Sequence, residues 1–188
     1  MKIATTRFGD LQVDEKDILN FKEGILGFEN LTQFFIVDPG DNTLILWLQS
    51  IQDGSVAFPV IEPKIFNPNY VAKLLPSELQ SLQLDSLAAA KIYSILTIPQ
   101  DVVQMSANLK APIIINSSSN LARQIVLQDN KLSVRFEMYK ELKKHIIAMT
   151  NNSSDDSKRT NITISSGSQE SKTTTKPSRT KQGPTAQA

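Results

Sequence analysis

Met105-Ser106-Ala107-Asn108-Leu109-Lys110-Ala111-Pro112-Ile113-Ile114-Ile115-Asn116 sets the frame for the whole chain. A polar loop runs through Ala111-Pro112 into a short aliphatic run and stops at Asn116. Proline holds its predecessor in extended geometry and donates nothing to a ladder, so Pro112 predicts the start of a strand. Three successive isoleucines fit a strand buried on both faces. Asn116 with Ser117, Ser118 and Ser119 supplies the turn that ends it.

Outward from that strand the chain continues in the same style. Met1–Thr6 and Leu11–Val13 flank Arg7-Phe8-Gly9-Asp10, a hairpin with Gly9 at a positive-φ position. Glu23-Gly24-Ile25-Leu26-Gly27-Phe28 is a double-glycine loop leading into a strand over Phe34–Val37. Asp38-Pro39-Gly40-Asp41-Asn42 turns the chain into a strand over Leu44–Ile51. Gln52-Asp53-Gly54 then returns it along Val56–Ile61. Further strands are predicted at Lys91–Ile98 and Ala122–Leu127, and Leu132, Val134 and Phe136 alternate with Ser133 and Arg135 as a half-buried strand should. Ser77 and Gln80 stand at capping-box spacing and predict a short helix over Glu78–Leu82. Tyr139, Leu142, Ile146 and Met149 recur at helical steps and predict an amphipathic helix over Glu137–Met149. Short strands with turns between them predict a mainly β fold, a compact antiparallel β-barrel-like domain with one short helix. The domain spans 1–136, followed by a basic amphipathic helix over 137–149 and a tail over 150–188. In that tail 16 of 39 residues are Ser or Thr, too few apolar groups to offset chain entropy, so disorder is expected.

Composition excludes several function classes. The chain has 188 residues and no cysteine, which removes disulfides, thiol catalysis and cysteine metal sites. No run has the length of a membrane span and the start lacks a signal peptide's apolar region, so a cytoplasmic protein is expected. The single histidine, His145, rules out a His–His metal pair. Asp14, Glu15 and Asp17 lack the spacing of a calcium loop, and neither a P-loop nor a dinucleotide fingerprint occurs. No catalytic, cofactor or metal residues are assigned, and an enzyme is not expected.

Charge divides the chain. Residues 1–130 carry 9 Lys and Arg against 14 Asp and Glu, residues 131–149 carry 5 against 2, and residues 150–188 carry 6 against 3. An acidic body repels nucleic acid and attracts a basic protein. Lys140, Lys143 and Lys144 with the tail offer at most weak, salt-sensitive phosphate contact. Apolar residues in loops are the better lead. Glu62-Pro63-Lys64-Ile65-Phe66-Asn67-Pro68-Asn69-Tyr70 and Gln100-Asp101-Val102-Val103-Gln104-Met105 either fold their apolar side chains onto a barrel end or expose an apolar patch with an acidic rim. The second alternative makes Ile65, Phe66, Asn67, Tyr70, Met105, Asn108 and Leu109 protein contacts, with Glu62 and Asp101 as the rim. The Ala107–Pro112 block has its own structural alternative, closure of the barrel.

The chain resembles the FliW family of flagellar assembly factors. The resemblance lies in Thr5-Thr6-Arg7-Phe8-Gly9, Gly24-Ile25-Leu26-Gly27-Phe28-Glu29, Trp47-Leu48-Gln49-Ser50, Ala57-Phe58 leading to Pro63, Thr97-Ile98-Pro99, and Ala107-Asn108-Leu109 with Ala111-Pro112-Ile113-Ile114-Ile115-Asn116. It covers about residues 1–135. Lys22 departs from it, standing where the family has proline, and the helix and tail look like additions. The resemblance implies a binding protein without catalytic residues or cofactors, monomeric when free. Its implied partners are CsrA, a small RNA-binding dimer that represses flagellin translation, and flagellin, which competes for the same protein. A chaperone that only holds flagellin, or a barrel that binds RNA directly, are the other readings.

Overall fold

The structure, a computed structural model, describes residues 1–40 and 43–152, with side chains to residue 148. Eleven strands and two helices follow in order: β1 Lys2–Thr5, β2 Gly9–Gln12, β3 Leu19–Phe21, β4 Gln33–Val37, β5 Leu46–Ser50, β6 Ala57–Ile61, α1 Pro76–Ser81, β7 Ala90–Thr97, β8 Ser106–Ala107, β9 Ile113–Asn116, β10 Leu121–Gln124, β11 Phe136–Glu137 and α2 Tyr139–Asn152. The tail from residue 153 and the Asp41-Asn42 half of one predicted turn lie outside the described residues.

Seven strands close a barrel. β3 to β7 run as an antiparallel meander apart from the α1 excursion, β7 pairs with β9, β9 with β10, and β10 returns to β3. The closing pair β10–β3 is parallel, where the sequence predicted antiparallel pairing throughout. The isoleucine strand shows why it had to be apolar on both sides. Ile113 and Ile115 join the barrel interior with Phe21, Phe34, Leu48, Val60 and Tyr93. Ile114 points outward into a second core with Ile61, Leu96, Phe66, Tyr70, Leu82, Met105 and Leu109. A third cluster forms where the β1–β2 hairpin lies on the outer face of β4 through Ile3, Val13 and Phe35.

Two glycines are dictated by close approach. Gly24 sits at φ +66°, and a Cβ there would come within 2.7 Å of the Glu29 backbone. The loop it allows tucks Ile25 into the barrel interior. Gly54 lets the β5–β6 turn meet the hairpin: a Cβ would collide with the Ala4 carbonyl. Thr6 donates from its backbone N–H to the Gly54 carbonyl at 3.0 Å.

Three local expectations are corrected. Ser77 is not the helix cap. Pro76 occupies the first turn, a position that suits a residue lacking an N–H, so the cap moves back to Leu75, whose backbone N–H donates to the Glu78 carboxylate at 2.7 Å. The strand expected over Leu132, Val134 and Phe136 shrinks to Phe136–Glu137, because its partner β8 is only two residues long. The last helix begins at Tyr139, and the buried residue at its start is Met138. Leu142 is buried and Ile146 packs partly against the second core, as the periodicity predicted.

Candidate protein-binding surface

The two apolar loops meet, with their large side chains turned inward. Phe66, Tyr70, Met105 and Leu109 are each at most 2% exposed and belong to one core cluster. The Tyr70 hydroxyl donates to the Leu109 carbonyl at 2.9 Å, and burial pushes its pKa up to about 12. Phe66 stacks against Phe136 with ring centroids 5.8 Å apart. As core members these four side chains are buried in this conformation, so a partner would reach them only through a rearrangement of the two loops. The physical reason is that they cover the outward faces of β6, β7 and β9, which would otherwise be wet.

The remaining five stay at or near the surface. Asn108 is half-buried and spends its side-chain oxygen on the backbone N–H groups of Lys110 and Ala111 at 3.1 and 3.0 Å. That shapes the turn before Pro112. Ile65 and Asn67 are half-buried. Glu62 is exposed at the start of a 3-10 turn, Pro63–Ile65. Asp101 is exposed and caps a second 3-10 turn, Val102–Gln104, accepting from Val103 N–H at 3.2 Å and from the Gln104 amide at 3.1 Å. On that turn Val103 is exposed.

Apart from Val103, the apolar groups that face solvent lie elsewhere. Leu26 is 60% exposed at the tip of the double-glycine loop. Its backbone N–H donates to the Gln124 side chain at 3.0 Å, and Gly27 donates to the Glu29 carboxylate at 2.8 Å. That bond holds the Glu29 pKa below the ordinary carboxylate value. Phe28 donates from its backbone to the Ile25 carbonyl at 2.6 Å and meets Phe58 edge-on at 5.1 Å. Leu26 is therefore a large apolar side chain presented on a loop with little freedom left, the arrangement that lowers the ordering cost of binding. Lys22 sits exposed in the turn that enters this loop, and Gly24 N–H still reaches the Phe21 carbonyl at 3.3 Å. Val71, Leu75 and Val126 are also exposed, and Leu74, Leu75, Val126 and Leu127 line a groove rimmed by Lys73, Glu78 and Asp129. The sequence carried no usable signal for these residues: Ile25 and Leu26 stand between the same two glycines, yet Ile25 enters the barrel interior and Leu26 faces solvent.

No group of three or more His, Asp or Glu among the described residues could hold a metal. No helix among them is long and apolar enough to cross a membrane.

Comparison with known proteins follows the same outline. A family model described as FliW protein matches residues 2–138. The flagellar assembly factor FliW of Bdellovibrio bacteriovorus is 41% identical over 147 residues, 78% of this chain and 84% of that protein. Its namesake from Thermoanaerobacter pseudethanolicus is 38% identical over 144 residues, covering 76% and 96%. A crystal structure of the flagellar assembly factor FliW superposes with a TM-score of 0.70 at 33% identity, covering 74% of this chain and 97% of that one. A 147-residue match is longer than the span 1–136, so it reaches into the segment that forms α2.

Proposed function

The chain belongs to the FliW family of flagellar assembly factors, and from that premise we propose that it acts as a partner switch between CsrA and flagellin. In this reading the free, cytoplasmic protein binds CsrA away from the RNA surface and lowers its RNA affinity allosterically. Repression of flagellin mRNA is thereby lifted. Unsecreted flagellin competes for the same protein, sequesters it and restores repression, each equilibrium being limited by differential affinity.

The observation that carries the reading is the surface itself. The loop at Gly24–Glu29 presents Leu26 and Phe28 in a fixed geometry, and the body beneath them is net acidic. Preorganised apolar anchors on an acidic body suit docking to a basic protein. Glu62 and Asp101 remain exposed carboxylates available to a rim.

Calorimetric titration of the purified protein into CsrA, flagellin and flagellin mRNA, each separately, tests the proposal. Binding to both proteins, with flagellin displacing CsrA in a competition run, is the expected result. Flagellin binding alone would leave a holding chaperone. Binding to RNA alone would overturn the reading.

A further inference from the structure

Helix α2 has two unlike faces. Met138, Leu142 and Ile146 follow one another at four-residue steps and lie against the second core, buried or half-buried. Lys140, Lys143, Lys144 and Ile147 fall on the opposite side at i, i+3, i+4 and i+7, and all four are exposed. Because the apolar face is committed to the body, the lysines cannot turn toward the body's carboxylates without undocking the helix. They are not an intramolecular charge shield.

Their charge is largely uncompensated. Of the three lysines, only Lys144 has an acidic partner among the described residues, Glu141 at 2.8 Å. Both groups of that pair are exposed, so solvent and salt weaken it. Residues 131–149 hold 5 Lys and Arg against 2 Asp and Glu, directly after a body in which acids outnumber bases. Three of those five cations, Lys140, Lys143 and Lys144, share one solvent face of α2.

The composition of that face selects the class of partner. Protein interfaces are depleted in lysine and centre on aromatic or arginine anchors. This face has a single apolar side chain, Ile147, and no aromatic. Lysines on adjacent helical rows instead act as point charges that follow a string of phosphates, and they need no particular base. We propose that the Lys140–Lys144 face of α2 binds RNA through its phosphates, independently of sequence. The activity is separate from the CsrA and flagellin contacts and does not depend on them.

Fluorescence anisotropy of a labelled short oligouridylate titrated with the full chain tests this. With about three phosphates neutralised, affinity for a single strand should fall about eighteenfold between about 50 and about 200 mM KCl. K140Q/K143Q/K144Q should lose about tenfold or more at the lower salt, with an unchanged melting curve. K140R/K143R/K144R should bind like the wild type, since only charge is required. No binding by the wild type, or equal binding by the glutamine variant, overturns the proposal. So does a glutamine variant that keeps RNA affinity but loses CsrA or flagellin, which would make the face a protein contact. Because RNA is read directly, failure here is distinguishable from failure of the partner switch.

Discussion

Phe66, Tyr70 and Leu26 show how far a single residue can be read. The apolar residues of 62–70 and 101–109 have no period, and an aperiodic apolar residue is as compatible with a lid on the core as with a binding patch. Only the fold decides, and it places Phe66 inside. Phe66→Ala is therefore expected to destabilise the protein by about 3–5 kcal/mol. A melting point lowered by less than a few degrees, with partner affinity lost, would return Phe66 to the interface. Leu26→Ala should do the opposite: a melting curve within about 0.5 kcal/mol of wild type and CsrA or flagellin affinity down by more than about 1 kcal/mol. Calorimetry on the variant reads both. Tyr70 adds a pH dependence. Its folded pKa is raised above the usual tyrosine value, to about 12, by burial. The unfolded chain therefore loses the proton first. The contribution is complete below about pH 10 and is lost as pH rises toward about 12. Tyr70→Phe should lower stability at neutral pH by about 1 kcal/mol through the missing bond to Leu109, yet flatten the alkaline decline, as denaturant melts across pH would record.

At the scale of elements, the sequence was most informative where chemistry is local. Pro112 and the isoleucines gave β9 with its observed bounds, and the glycine of Arg7-Phe8-Gly9-Asp10 gave the first hairpin, with Gly9 at φ +69°. Pairing was less readable, because alternation tells which side of a strand is apolar but not which strand lies beside it. The parallel β3–β10 closure has no sequence mark, and the Leu132–Phe136 alternation is broken in the fold by Val134, which is exposed, and has only a two-residue partner to pair with. Helix α2 is the informative case for energetics. Its periodicity predicted a docked helix, and Leu142 is 2% exposed in the second core. Met138 N–H meets the Met105 carbonyl at 3.4 Å, and Leu142 N–H reaches the Met138 carbonyl at 2.9 Å. Leu142→Ala is expected to cost about 2–5 kcal/mol. If the helix merely hangs from the domain, the variant will melt like the wild type. If it completes the core, hydrogen exchange will also speed up in β8, whose neighbours it covers.

Over the whole molecule, charge was the property read most directly from sequence, because a net charge is a sum and needs no fold. The distribution of the candidate site was the least readable, because it depends on which loops the barrel turns outward. Leu26 sits on a loop that closes against Gln124, a residue 98 positions away, and no local pattern records that contact. Both properties meet in association kinetics. If the acidic body steers a basic partner, opposite charges accelerate encounter, and salt screens that attraction within about 10 Å at 0.1 M ionic strength. The dissociation step breaks short-range contacts centred on apolar anchors, which salt touches little. Raising salt from about 50 to about 200 mM should therefore slow association with CsrA several-fold while leaving dissociation within about twofold, as stopped-flow or surface-based kinetics would show. Asp101→Lys should lower the association rate and reduce its salt slope, without moving the melting point, because Asp101 is exposed and its cap serves one short turn. A salt effect confined to dissociation would place buried ion pairs at the centre of the interface. The exposed Leu26 and Phe28 would then be neighbours of the contact rather than its anchors.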